Sequence, residues 1–142
     1  MRALLDVNVL LALMDKDHIH HEPALAWWRS HREHGWASCP LTQNGFVRIS
    51  SQANYKGRRP AAHALEQLRL QVAEPNHEFW PDDISIADPR LFDHDRILGP
   101  GQLTDIYLLA LAVKNGGRLV TFDRAVPLSA VRGAESRHVV VI

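Results

Sequence analysis

An α/β fold with a central, mostly parallel sheet flanked by helices is the class this 142-residue chain predicts, and three observations carry it. Strand-like and helical segments alternate along the whole chain, which is the signature of βαβ units. The clearest unit, "LTDIYLLALAVKNGG" followed at once by "RLVTFD", reads as a buried helix feeding a strand. Apolar residues make up 46% and charged residues 23%, the balance of a chain that buries a core. In such folds sites lie beyond the carboxyl ends of the strands, so residues there are the ones to watch.

Taken in order, Ala3 to Leu5 read as a short buried strand, and "VNVLLALM" as a helix that begins at or just after Asp6. After the polar loop "DKDHIHHE", Pro23 suits the first turn of a helix through "ALAWWRSHREH" that closes at Gly35. "WASC" is a second strand, and "LTQNGFVRISSQ" a helix with Thr42 as its expected N-cap. Pro60 opens the next helix, where Ala61, Leu65, Leu68 and Val72 fall at helical spacing. "PNHEFWP" is a short extended stretch between prolines, and a polar connection follows it. Thr104 is the expected cap of the last helix, Gly116 its terminator, and "HVVVI" a final strand.

The length suits one domain, residues 1–142, and no repeat or low-complexity segment divides it. Sixteen Lys plus Arg against sixteen Asp plus Glu leave no global basic field, so any nucleic-acid site must be local. One cysteine, Cys39, cannot form an intramolecular disulfide, and no secretory leader opens the chain; a cytoplasmic location is expected. The longest apolar run, "IYLLALAV", falls far short of the roughly 18 residues a membrane span needs.

Three acids occupy comparable places: Asp6 after the first strand, Asp105 in the first turn of the clearest helix, and Asp123 after "RLVT". Singly, each has an ordinary explanation as a cap, a helix-dipole acid or a turn residue. Together at one strand edge they would repel, and such a cluster stays ionised only beside a cation. Oxygen ligands favour Mg²⁺ or Mn²⁺ over zinc or copper. Asn8 lies two residues after Asp6 and Thr121 two before Asp123, placed to orient the acids or water.

On these residues the chain resembles a known family. "LLDVNVLLAL", "LTQNGFVRIS" and "LTDIYLLALAVKNGGRLVTFDR" look like a PIN domain, in particular the VapC toxins of bacterial toxin–antitoxin pairs. The resemblance implies a three-layer PIN fold and a metal-dependent endoribonuclease that cleaves RNA with metal-activated water, Asp6, Asp105 and Asp123 being its active-site aspartates. It also implies a VapB-like antitoxin as partner and a tendency to homodimerise. One departure stands out: many PIN domains carry a glutamate three residues beyond a Ser or Thr, and counting from Thr42 that position is Gly45. Asp82, Asp83, Asp88 and Glu22 are the acids open to replace it, and a second cation is expected to bind weakly. A PIN fold that binds RNA or an antitoxin without cleaving is the alternative.

Lys56, Arg58 and Arg59 in "YKGRRP" form the densest basic patch, with Arg48 and Arg124 close in sequence to the proposed site; all five are candidates for RNA phosphates. His18, His20 and His21 lack cysteine partners or a helical H-x-x-x-H face and read as a solvated loop. Of the adjacent Trp27 and Trp28, one is expected in the core and the other at a partner surface. A phosphatase with a nucleophilic aspartate would want a second aspartate two residues on, where Asn8 stands.

Overall fold

A computed structural model describes residues 1–142. Its five strands are β1 (Ala3–Leu5), β2 (Trp36–Ser38), β3 (His77–Phe79), β4 (Arg118–Thr121) and β5 (Val139–Val141). They lie in the order β3-β2-β1-β4-β5, and every neighbouring pair is parallel. The order makes β1, the first strand of the chain, the centre of the sheet.

Strand alternation splits the core between the two faces. Leu4 and Leu119 belong to one apolar cluster, with Phe92 and the buried side of α5 (Leu103–Lys114). Ala3, Leu5 and Val120 belong to the other, with Phe46, Leu10 and Leu68. That second layer is built from α1 (Val7–Met14), α2 (His21–His31), α3 (Pro40–Ser50) and α4 (Ala61–Val72). The result is three layers, helix on sheet on helices, as the sequence predicts. None of the helices is long and apolar enough to cross a membrane.

Two turns deliver the chain to the site. Asp6 follows β1 without a spacer and caps α1 through its own side chain. At the other end of the molecule α5 stops at Gly116, whose φ of +66° is open to glycine at little cost. Gly116 N–H donates to Val113 O at 3.1 Å and Gly117 N–H to Ala112 O at 2.9 Å, a Schellman ending that feeds β4 directly.

Two expected caps are corrected. Helix α3 starts at Pro40, with Cys39 as N-cap and Thr42 in its first turn, where Thr42 Oγ1 accepts from Cys39 N–H at 3.0 Å. Proline is favoured at the first helical position because its missing N–H has no partner there, and this moves the cap back by three residues, from Thr42 to Cys39. Helix α5 has Gln102 as N-cap with no side-chain bond, and Thr104 is exposed; a 3₁₀ turn at Pro100–Gln102 leads into the helix instead. Likewise α2 begins two residues before Pro23.

Trp28 and Trp27 share the half-buried state instead of dividing core from surface. Trp28 meets Trp36 edge-on at 6.3 Å, and Trp27 stacks on His31 at 4.6 Å beneath the Arg118 guanidinium.

Candidate active site

The carboxyl ends of β1 and β4 meet because Leu5 pairs with Val120, so Asp6 and Thr121 emerge side by side. Asp6 is 6% exposed, and both of its oxygens are held. Oδ1 accepts Val7 N–H at 2.7 Å, and Oδ2 accepts the Thr121 hydroxyl at 2.7 Å. The same hydroxyl oxygen accepts from Asn8 Nδ2 at 3.2 Å and from Asp123 N–H at 3.0 Å. Thr121 Oγ1 is therefore the hub that ties the first acid, the third acid and Asn8 together. Asn8 closes the frame by accepting Phe122 N–H at 3.4 Å.

Asp105 enters from the first turn of α5, on the opposite layer. Burial first, then the charge of Asp6 and the neighbouring Asp123 carboxyl, push its carboxyl up to about 7. Asp6 is also raised, by burial before anything else, although its bonds to Thr121 and Val7 N–H pull the other way. The three acids are gathered but not closed around a point: no three His, Cys, Asp or Glu side chains stand together at ligating separation. The oxygen-only donor set and its crowded negative charge nevertheless fit a hard divalent cation, whose charge would offset the repulsion among the three acids.

The absent fourth acid has a packing reason. A Cβ on Gly45 would lie 2.7 Å from Val7 Cγ2, because α3 crosses α1 at this point. The acids open to replace it are engaged elsewhere. Asp82 Oδ2 accepts Leu41 N–H, Asp83 pairs with Lys114 and Asp88 with Arg90. Glu22 is exposed in the first turn of α2.

The basic candidates separate. Arg48, Lys56, Arg58 and Arg124 are exposed. Arg59 is turned inward: Nη1 donates to Met14 O and to Gln67 Oε1, and its guanidinium lies over the Phe46 ring at 5.7 Å. It ties α4 to the end of α1 and leaves the surface patch to Lys56 and Arg58. One contact was hidden from sequence reading, because its partners lie about a hundred positions apart: His20 packs on Phe122 with ring centroids 4.9 Å apart.

Thr121→Val tests the hub, since valine keeps the volume and removes the hydroxyl. Loss of partners that orient metal ligands typically costs about 10- to 100-fold in metal affinity or activity, and a fall of that size is expected. Wild-type activity with unchanged cation affinity would show that Thr121 positions nothing.

A parallel five-stranded sheet with acids converging at the carboxyl ends of its central strands defines the class. The PIN domain family model matches residues 3–133, and the chain belongs to that family. Within the family it is similar to the VapC ribonucleases of Mycobacterium tuberculosis. It is 51% identical over 142 residues to Ribonuclease VapC44, covering all of both chains. It is 42% identical over 134 residues to Ribonuclease VapC39, covering 94% of this chain and 96% of that one. Among solved structures, Mycobacterium tuberculosis VapC20, a Sarcin-Ricin loop cleaving toxin, superposes with a TM-score of 0.55 at 14% identity, over 82% of this chain and 85% of that one. VapBC2 from Rickettsia felis, bound to a DNA fragment from its promoter, gives a TM-score of 0.56 at 12% identity over 87% and 89%. These two likenesses speak for the fold.

Proposed function

We propose that this chain is a VapC-type endoribonuclease toxin that hydrolyses RNA with the help of Mg²⁺ or Mn²⁺ held by Asp6, Asp105 and Asp123. The observation that carries this reading is the convergence of Asp6, Asp105 and Asp123 where β1 and β4 end beside the first turn of α5, an approach close enough that burial and the other two acids lift the Asp105 carboxyl to about 7. A protein gains nothing in stability from acids arranged to repel, so the arrangement points to a cationic ligand. Full-length identity of 51% to a named ribonuclease supports the same reading.

A bound divalent cation supplies two things in such a site: an activated water and a counter-charge for the phosphodiester as negative charge develops. The chain supplies the frame. Thr121 and Val7 N–H fix Asp6, and Asn8 holds the turn into Asp123. Arg48, Lys56, Arg58 and Arg124 are the exposed cations available to RNA phosphates. Water is the nucleophile, and none of the three carboxylates forms a covalent intermediate. A VapB-like antitoxin neutralises the toxin, the chain forms a homodimer, and both work in the cytoplasm, where cellular RNA is translated.

The test is incubation of purified protein with cellular RNA, followed by mapping of new ends. Cleavage is expected with Mg²⁺ or Mn²⁺ and absent in EDTA. Cleavage that resists EDTA would overturn the metal role. No cleavage under any condition, with RNA binding intact, would favour the binding-only reading.

A further inference from the structure

The loop between α1 and α2, which reads in sequence as solvated, lies in the structure against the end of β4. Phe122, His20 and His18 form a row of rings, with centroids 4.9 Å apart between the first two and 5.7 Å between the second two. Its inner end is fixed, because Phe122 immediately precedes Asp123 and donates its N–H to Asn8. His20 is exposed, and it caps α2 in position only, with no side-chain hydrogen bond. Neither helix capping nor core packing accounts for an imidazole there.

Beyond His18 the row opens into a cavity of about 430 Å³ between this loop and the one joining α3 to α4. Asp15, Asp17, Ile19, Tyr55 and Lys56 line it with His18. Ile19 is 81% exposed, an apolar side chain left uncovered at its rim. The Tyr55 hydroxyl is buried and has no partner in the chain.

We propose that single-stranded RNA leaving the carboxylate cluster runs along Phe122, His20 and His18, and that the cavity beyond receives one of its bases. This rests on the ribonuclease reading and names the path by which that site selects its substrate. Rings in a row suit unpaired bases, which stack on aromatic and histidine side chains when splayed out of a duplex. Two carboxylates against one lysine make the cavity hostile to a phosphate. They suit the amino group of a base, which donates to a carboxylate, while Lys56 remains for the backbone. Selectivity for an amino-bearing base a few nucleotides from the cut follows.

The experiment uses labelled single-stranded RNA of random sequence, bound to Asp105→Asn protein so that nothing is cleaved. Adding His20→Ala should weaken binding about tenfold, the usual scale for one lost stacking contact. His20→Phe should restore it, which an imidazole acting by charge or hydrogen bonding would not allow. In cleaving protein, Asp17→Asn should leave the cut in place and relax the base preference at the position a few nucleotides away that the cavity receives. Unchanged affinity in His20→Ala would overturn the path, as would loss in both His20 variants. Weakened antitoxin capture with RNA binding intact would assign the face to protein instead. If the wild type neither binds nor cuts RNA, the ribonuclease reading itself fails. If it does both, and His20→Ala yields the same KM and the same ends, only the path fails.

Discussion

Asp105→Asn is expected to abolish RNA cleavage while making the metal-free protein more stable. The asparagine keeps the shape of the side chain and removes one of three charges, and loss of that order of electrostatic help costs about 10²-fold or more in rate. Stability moves the other way because burial, Asp6 and Asp123 all oppose the charged form of this acid. The sign follows from proton binding. The folded carboxyl titrates at about 7, against 3.8 for the ordinary group, so between those values the folded protein holds a proton that the unfolded chain releases. Stability therefore falls as pH rises through that window, and the penalty is complete above about 7. In EDTA at about pH 8 the variant should melt roughly 3 °C or more above wild type, the shift that about 1 kcal/mol gives at this size. Near pH 4 the two should melt together. Added Mn²⁺ should reverse the order by stabilising the wild type alone, since the cation must displace the proton. A variant that melts lower than wild type in EDTA at both pH values would contradict the charge cluster.

Asp6 behaves differently, although it belongs to the same cluster. It is the N-cap of α1, and asparagine caps about as well as aspartate. Asp6→Asn should thus cost activity without the stabilisation expected of Asp105→Asn, because the single amide oxygen can accept from Val7 N–H or from the Thr121 hydroxyl but not from both.

Gly45→Ala should destabilise the protein, against the direction that helix propensity alone predicts. Alanine in a helix interior is better than glycine by up to about 1 kcal/mol. Here the new methyl would meet Val7 Cγ2 at 2.7 Å and Cγ1 at 3.6 Å. Val7 cannot rotate away freely because it is β-branched and opens a helix, and overpacking of this kind costs about 1–3 kcal/mol. Val7→Ala in the same protein should recover most of the loss, which a double-mutant cycle by urea unfolding reads as a favourable coupling. Glutamate at this position would fare worse than alanine, with a longer chain and a charge in the same contact. Equal or higher stability of Gly45→Ala would show that the two helices are not held at this spacing.

Legibility in the sequence followed burial. Strand β1, helix α5 and strand β4 could be read because each is an apolar run with a polar or glycine boundary, and their ends located Asp6, Asp105 and Asp123 as candidates. Strand β3 is three residues at the sheet edge, half-buried to exposed, and carries no pattern beyond its flanking prolines. Thr42 was misplaced because a proline and a threonine compete to start a helix, and position alone does not rank them. Arg59 reads as a surface cation beside Lys56 and Arg58. Its inward turn depends on Met14, Gln67 and Phe46, which are distant along the chain or uninformative singly. The Phe122–His20 contact is of the same kind.

The order β3-β2-β1-β4-β5 also governs when the proposed site can form. The central strand leaves the ribosome first, but its neighbour β4 and the hub Thr121 are among the last residues made. Until Arg118–Thr121 emerge, Asp6 lacks the hydroxyl that holds one of its oxygens, and Asp123 does not yet exist. A chain abandoned before Arg118 carries a helical layer and up to three strands of sheet, but the proposed site is not assembled. On the proposed reading of these acids, the cell that translates this message meets the nuclease only as whole molecules, and a neutralising partner has the full time of synthesis in which to be waiting.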